Sequence, residues 1–106
     1  MQGLHLTADL RDCRGAAALL TEPSALRALC LAAVGDAGLT PVGELFHRFD
    51  APVDRQSGIT GVVLLAESHL AVHTWPEIGG VTIDAYVCNF SDDNSQRAQQ
   101  LLNQLI

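Results

Sequence analysis

Apolar and polar residues alternate from the start of the chain. Between Gly3 and Leu10, Leu4, Leu6, Ala8 and Leu10 fall on one side, with His5 and Asp9 on the other, the signature of a half-buried strand. The period then changes. Leu26, Leu29, Cys30 and Ala33 recur at helical spacing, which predicts a helix over Pro23 to Asp36. Thr21 or Glu22 stands at its start, Pro23 falls in its first turn and Gly38 lies just past its end. Ala28, Leu31 and Ala32 make the opposite side apolar as well, which suggests cover on more than one face.

Leu39 to Phe49 reads as a second strand, and Asp50 to Gly58 as a loop carrying Pro, Gly and three charges. Ile59 to Trp75 is strand-like throughout but too long for one straight strand. Val81 to Val87 is a further strand with β-branched residues at alternate positions. A last helix is expected to begin near Asp92 or Asp93 and to bury Ala98, Leu101, Leu102 and Leu105. The order βαβββα predicts an α/β (α+β) two-layer sandwich, with a largely antiparallel sheet and both helices packed on one face.

Composition narrows the function. The 106 residues suit one domain, and 48% apolar against 17% charged residues suffices for a core. Twelve acidic residues face six basic ones, all arginine, for a formal charge of −6. Without lysine there is no P-loop, no lysine Schiff base and no anchored pyridoxal phosphate. The acidic balance argues against nucleic acid as a partner. Cys13, Cys30 and Cys88 are odd in number and widely spaced, unlike a disulfide framework or zinc site. No apolar run is long enough to cross a membrane, and the first residues lack a signal peptide's apolar stretch. A cytoplasmic, reduced protein is expected.

The segment Ala66-Glu-Ser-His-Leu-Ala-Val-His-Thr-Trp-Pro-Glu77 sets a serine, two histidines and two glutamates in an otherwise apolar region. Strand periodicity places His69, His73 and Trp75 on one face and Ser68 on the other, so Ser68 meets His73 only if the backbone bends near Glu67 to His69. Taken singly, Ser68 and His73 read as structural, Phe49 and Cys88 as core, and Glu77 as a solvated charge. His69 reads as structural or a minor part of a site. His47, His69, His73 and Cys88 fit no familiar metal-ligand spacing, and no metal is expected. Asp84 shares a strand face with Cys88 and is a candidate for burial beside it.

ESHLAVHTWPE with a cysteine 20 residues beyond the serine closely resembles the prokaryotic S-adenosylmethionine decarboxylases. GLHLTADLRDC, FHRF and GITG resemble the same family, so matches recur over most of residues 3–88. The resemblance implies self-cleavage between Glu67 and Ser68 into a β chain, 1–67, and an α chain, 68–106, whose first residue becomes a pyruvoyl group. It implies that Ser68 attacks the Glu67 carbonyl, that the Thr60 hydroxyl assists, and that His73 removes the α-proton of residue 68. Histidine suits that task because imidazole exchanges protons near neutral pH. In turnover the pyruvoyl would form a Schiff base with S-adenosylmethionine, and Cys88 would protonate the carbon that loses carbon dioxide. Phe49 would stack on adenine and Glu77 bind the ribose hydroxyls. A homodimer of αβ units is implied too.

Four departures stand out. Thr60 replaces a serine, the loop between Phe49 and Thr60 is longer, Asn89 stands where glycine commonly follows the cysteine, and relatives continue past Ile106 into a further strand and tail. Two alternatives follow: a pyruvoyl-dependent arginine or ornithine decarboxylase of the same family, or an uncleaved, non-catalytic homologue acting as a binding or regulatory subunit.

Overall fold

A computed structural model describes residues 3–11, 17–50, 58–88 and 94–105. Among these residues five strands form one sheet: β1 (Gly3–Leu10), β2 (Pro41–Arg48), β3 (Ile59–Leu65), β4 (Ser68–Trp75) and β5 (Gly80–Cys88). Their spatial order is β1-β5-β4-β3-β2, and every neighbouring pair is antiparallel. Among the described residues three α-helices accompany them: α1 (Ala17–Thr21), α2 (Pro23–Asp36) and α3 (Ser95–Leu105). The two-layer α+β sandwich is as expected. The long apolar stretch from Ile59 to Trp75 supplies two strands rather than one, folded into a hairpin at Ala66–Glu67.

Pleating sorts the sheet into two faces. Ile59, Val63, Leu65, Leu70, Val72, Ile83 and Ala85 join one buried cluster with Leu26, Cys30, Ala33 and Val34 of α2 and Leu101 and Leu102 of α3. Both longer helices therefore cover the same face. The other face, open in this chain, carries His5, Thr60, His69, His73, Asp84 and Tyr86 by strand alternation.

The second helix keeps the bounds its period predicts. It ends in a Schellman motif, in which Leu39 N–H donates to the Val34 carbonyl and Gly38 N–H to that of Gly35. Gly38 takes φ +79°, which a side chain would strain. On the second face of this helix, among the described residues, Ala28 and Ala32 are exposed and Leu31 packs partly against the core. Burial pushes the Cys30 thiol up to about 12, so it stays neutral in the core.

Two packing details hold the sheet's end beside the site. The Phe46 ring lies where a Cβ on its cross-strand partner Gly61 would stand. Thr74 is buried; it accepts from Ile59 N–H at 2.9 Å and donates to the Leu20 carbonyl of α1 at 2.8 Å. The short helix α1, which no sequence period announced, is thereby tied to β4. In α3, Ala98, Leu101 and Leu102 are buried and Leu105 is half-buried. Cys13, Asn89, Asp92 and Asp93, and most of the Asp50–Gly58 loop, lie outside the described residues.

Candidate active site

Glu67 closes the tight turn between β3 and β4 with φ +59°, a left-handed conformation uncommon for a residue with a side chain. Such positions cost of order 1 kcal/mol and concentrate at functional sites. The peptide bond that follows leads into Ser68, the first residue of β4. Ser68 is half-buried, and its Oγ accepts the amide proton of Cys88 at 3.1 Å. The contact is with the backbone of Cys88, and the thiol is separately buried.

Asn94 and Arg97 complete this end, and nothing in the spacing of the sequence had singled them out. Asn94 Nδ2 donates to the Cys88 carbonyl at 2.9 Å, and Arg97 Nη1 donates to Asn94 Oδ1 at 2.6 Å. The backbone of Cys88 is thus held on both sides, by Ser68 and by Asn94. Glu67, Ser68, Cys88, Asn94 and Arg97 line a cavity of about 240 Å³.

A second cavity, of about 210 Å³, lies at the other end of β4 and gathers Phe49, Thr60, His73, Trp75 and Glu77. Thr60 and His73 are cross-strand partners, and Thr60 Oγ1 lies 3.0 Å from His73 Nδ1. That contact fixes the imidazole, while the Trp75 ring lies beside it with centroids 6.0 Å apart. Phe49 is half exposed, edge-on to His47 at 4.8 Å between centroids, and its N–H donates to the Gly58 carbonyl. Glu77 sits in a single 3-10 turn, Pro76–Ile78, closed by Gly79 at φ +63°.

The seven expected site residues therefore form two groups. Glu67, Ser68 and Cys88 meet at one end, and Thr60, His73, Phe49 and Glu77 at the other. The structure does not bring Ser68 to His73 within one chain. The bend expected near Glu67 to His69 falls before Ser68, in the turn, and β4 then runs without a register shift against β3. Five residues of strand separate them by about 16 Å, and an odd separation puts their side chains on opposite faces. Asp84 also departs from expectation. It is half exposed on the open face and bonded to His5 of β1 rather than buried beside Cys88.

Comparison with known proteins adds the wider setting. The sequence model of the family described as S-adenosylmethionine decarboxylase matches residues 4–106. A protein of Prochlorococcus marinus (strain MIT 9313) named S-adenosylmethionine decarboxylase proenzyme is 38% identical over 98% of this chain and 77% of its own length. One of the same name from Symbiobacterium thermophilum is 40% identical over 86% of this chain and 64% of its own. The crystal structure of the adenosylmethionine decarboxylase of Aquifex aeolicus VF5 superposes with a TM-score of 0.75 at 35% identity, covering 97% of this chain and 79% of that one.

Proposed function

The chain belongs to the S-adenosylmethionine decarboxylase family, and from that premise we propose that it releases carbon dioxide from S-adenosylmethionine using a pyruvoyl group made from its own Ser68. The observation that carries the cleavage reading is the turn itself. The Glu67–Ser68 bond leaves a strained residue and enters a cavity that also holds Cys88, 20 residues further along. A covalent pyruvoyl carbonyl supplies the electron sink that decarboxylation of an amino acid requires. The surroundings of Ser68 fit such a group: the residue is half-buried at a chain turn, and the protein contains no lysine to anchor pyridoxal phosphate.

Each residue then has a task. Ser68 Oγ adds to the Glu67 carbonyl and the C–N bond breaks, leaving an ester and a free amine on residue 68. His73 takes the α-proton of residue 68, Glu67 departs as a carboxylate, and water releases ammonia to leave the pyruvoyl. Thr60 holds His73 through Nδ1 and offers its hydroxyl to the developing charge. In turnover Cys88 gives its proton to the substrate carbon that loses carbon dioxide. Phe49 offers a face to adenine and Glu77 accepts the ribose hydroxyls, which places the nucleoside at the His73 end.

Because one chain holds these tasks about 16 Å apart on opposite faces of β4, the working unit is a homodimer. A second copy running antiparallel along β4 brings the His73 end of one subunit to the exposed Ala66–Glu67 turn of the other, so that His73 approaches residue 68 at the turn and not through its side-chain face. Leu45 and Leu64, 69% and 50% exposed at the β2–β3 end of the open face, offer apolar surface for that contact. The enzyme is expected in the cytoplasm. Among the described residues no helix is long and apolar enough to cross a membrane, and Cys30 and Cys88 are free thiols.

An intact-mass spectrum under denaturing conditions tests the reading. Two species are expected, one ending at Glu67 and one of 39 residues (106 − 67) beginning with pyruvoyl. A single 11.3 kDa species, stable over days, overturns it. Carbon dioxide release from S-adenosylmethionine, compared with ornithine and arginine, tests the substrate.

A further inference from the structure

On the open face, at the Ser68 end of β4, three side chains from three adjacent strands converge: His5 of β1, Asp84 of β5 and His69 of β4. One ligand atom from each lies within 4.8 Å of the other two. His5 Nε2 is bonded to Asp84 Oδ1, and His69 Nε2 lies 3.6 Å from the same oxygen. We propose that these residues bind a divalent transition-metal ion, Zn2+ or a first-row neighbour, as a two-histidine, one-carboxylate site.

The chemistry favours that class. Two imidazole nitrogens and one carboxylate oxygen suit Zn2+ and its neighbours, whereas Mg2+ and Ca2+ prefer all-oxygen sets. Ligands at about 2 Å from a central ion must lie a little over 3 Å from one another, a spacing the cluster approaches without backbone movement. The rings are also held in place. Tyr86 stacks on His69, with centroids 6.0 Å apart and planes inclined at 26°, and meets His5 edge-on at 6.3 Å. The Tyr86 ring itself lies where a Cβ on Gly3 would stand, so a larger residue there would push it away. The ligands sit on a rigid sheet, and each imidazole is braced by the same aromatic ring.

Three protein ligands leave at least one position of a tetrahedral ion for water. The site also spans the Glu67–Ser68 bond, since His5 precedes it while His69 and Asp84 follow it. A bound ion joins the two segments across strands that hydrogen bonds already pair.

The test is metal binding by the purified protein, independent of catalysis. Metal-stripped protein is titrated with Co2+, reading the visible ligand-field bands, and then with Zn2+ to displace it. One ion per chain is expected, with Zn2+ displacing Co2+ and raising the melting temperature. Affinity should fall at least tenfold in His5→Gln, in His69→Gln and in Asp84→Asn, and stay unchanged in His47→Gln, a histidine of β2 outside the cluster. Far-UV circular dichroism confirms that each variant keeps the fold, and the three separate variants keep the test open if one fails to fold. No saturable binding, or equal affinity in wild type and all three ligand variants, overturns the proposal.

Discussion

The hydroxyl of Ser68 accepts the Cys88 amide proton at 3.1 Å, while the Cys88 carbonyl is held by Asn94. The anchorage of Ser68 thus depends on the backbone of β5 and not on the thiol. Cys88→Ala should therefore leave self-cleavage intact. If the thiol donates the proton in turnover, carbon dioxide release should fall about 10²–10⁴-fold. Cleavage and turnover measured on one preparation separate the two. Loss of both together would place the thiol in processing.

The split between the two ends of β4 gives a complementation experiment. Ser68→Ala lacks the nucleophile and His73→Ala lacks the base, so neither should cleave when expressed alone. Where the partner's His73 serves Ser68, a mixed dimer retains one complete site. Co-expression should then cleave up to half of the His73→Ala chains, seen as a 39-residue fragment by mass. If the two residues acted within one chain, no combination of these variants would yield fragment.

Thr60 touches His73 across the β3–β4 pair at 3.0 Å. Thr60→Val keeps the shape but removes the hydroxyl, and cleavage should slow by tenfold or more without loss of fold. Thr60→Ser should restore the rate. An unchanged rate in the valine variant would remove Thr60 from the processing machinery.

Much of this was legible from the chain, for identifiable reasons. The alternation of Gly3–Leu10 and the stripe through Leu26, Cys30 and Ala33 report burial on one face, and those two elements have the expected bounds. The hairpin inside Ile59–Trp75 was hidden because Ala66-Glu67 contains none of the usual turn residues; Glu67 takes its positive φ without glycine. Helix α1 was hidden because five residues carry too little periodicity to read. The separation of Ser68 from His73 follows from strand rise alone, but only once β4 is known to begin at Ser68. The convergence of His5, His69 and Asp84 needed the strand order, which places β5 between β1 and β4.

Thr74 is a buried polar side chain whose importance the sequence did not signal. Its hydroxyl serves Ile59 N–H and the Leu20 carbonyl together. Thr74→Val is nearly isosteric but leaves both of those groups without a partner away from water. At ~1–3 kcal/mol for each unsatisfied group, a loss of about 2–6 kcal/mol is expected. For a domain of this size that lowers the melting temperature by roughly 10 °C or more. Thr74→Ser should recover most of it, and a valine variant as stable as wild type would contradict the bridging role.

Cys30 supplies the pH test. Burial in the α2 stripe pushes its thiol from 9.0 up to about 12, so the folded protein keeps a proton that the unfolded chain gives up near 9. A group raised in this way contributes its full stability below pH 9 and loses it as the pH climbs towards 12. Between pH 9 and 11 the wild type should lose about 2 kcal/mol from this source. Cys30→Ala carries a constant cavity penalty but no such titration, so its stability should fall less over the same interval. Urea unfolding of both proteins at pH 8, 9, 10 and 11 measures the difference, with other alkaline groups cancelling between them. A gap between the two that narrows with rising pH is the expected result. A constant gap would mean that the thiol titrates alike in the folded and unfolded chains, and that the α2 stripe is more open to water than its packing indicates.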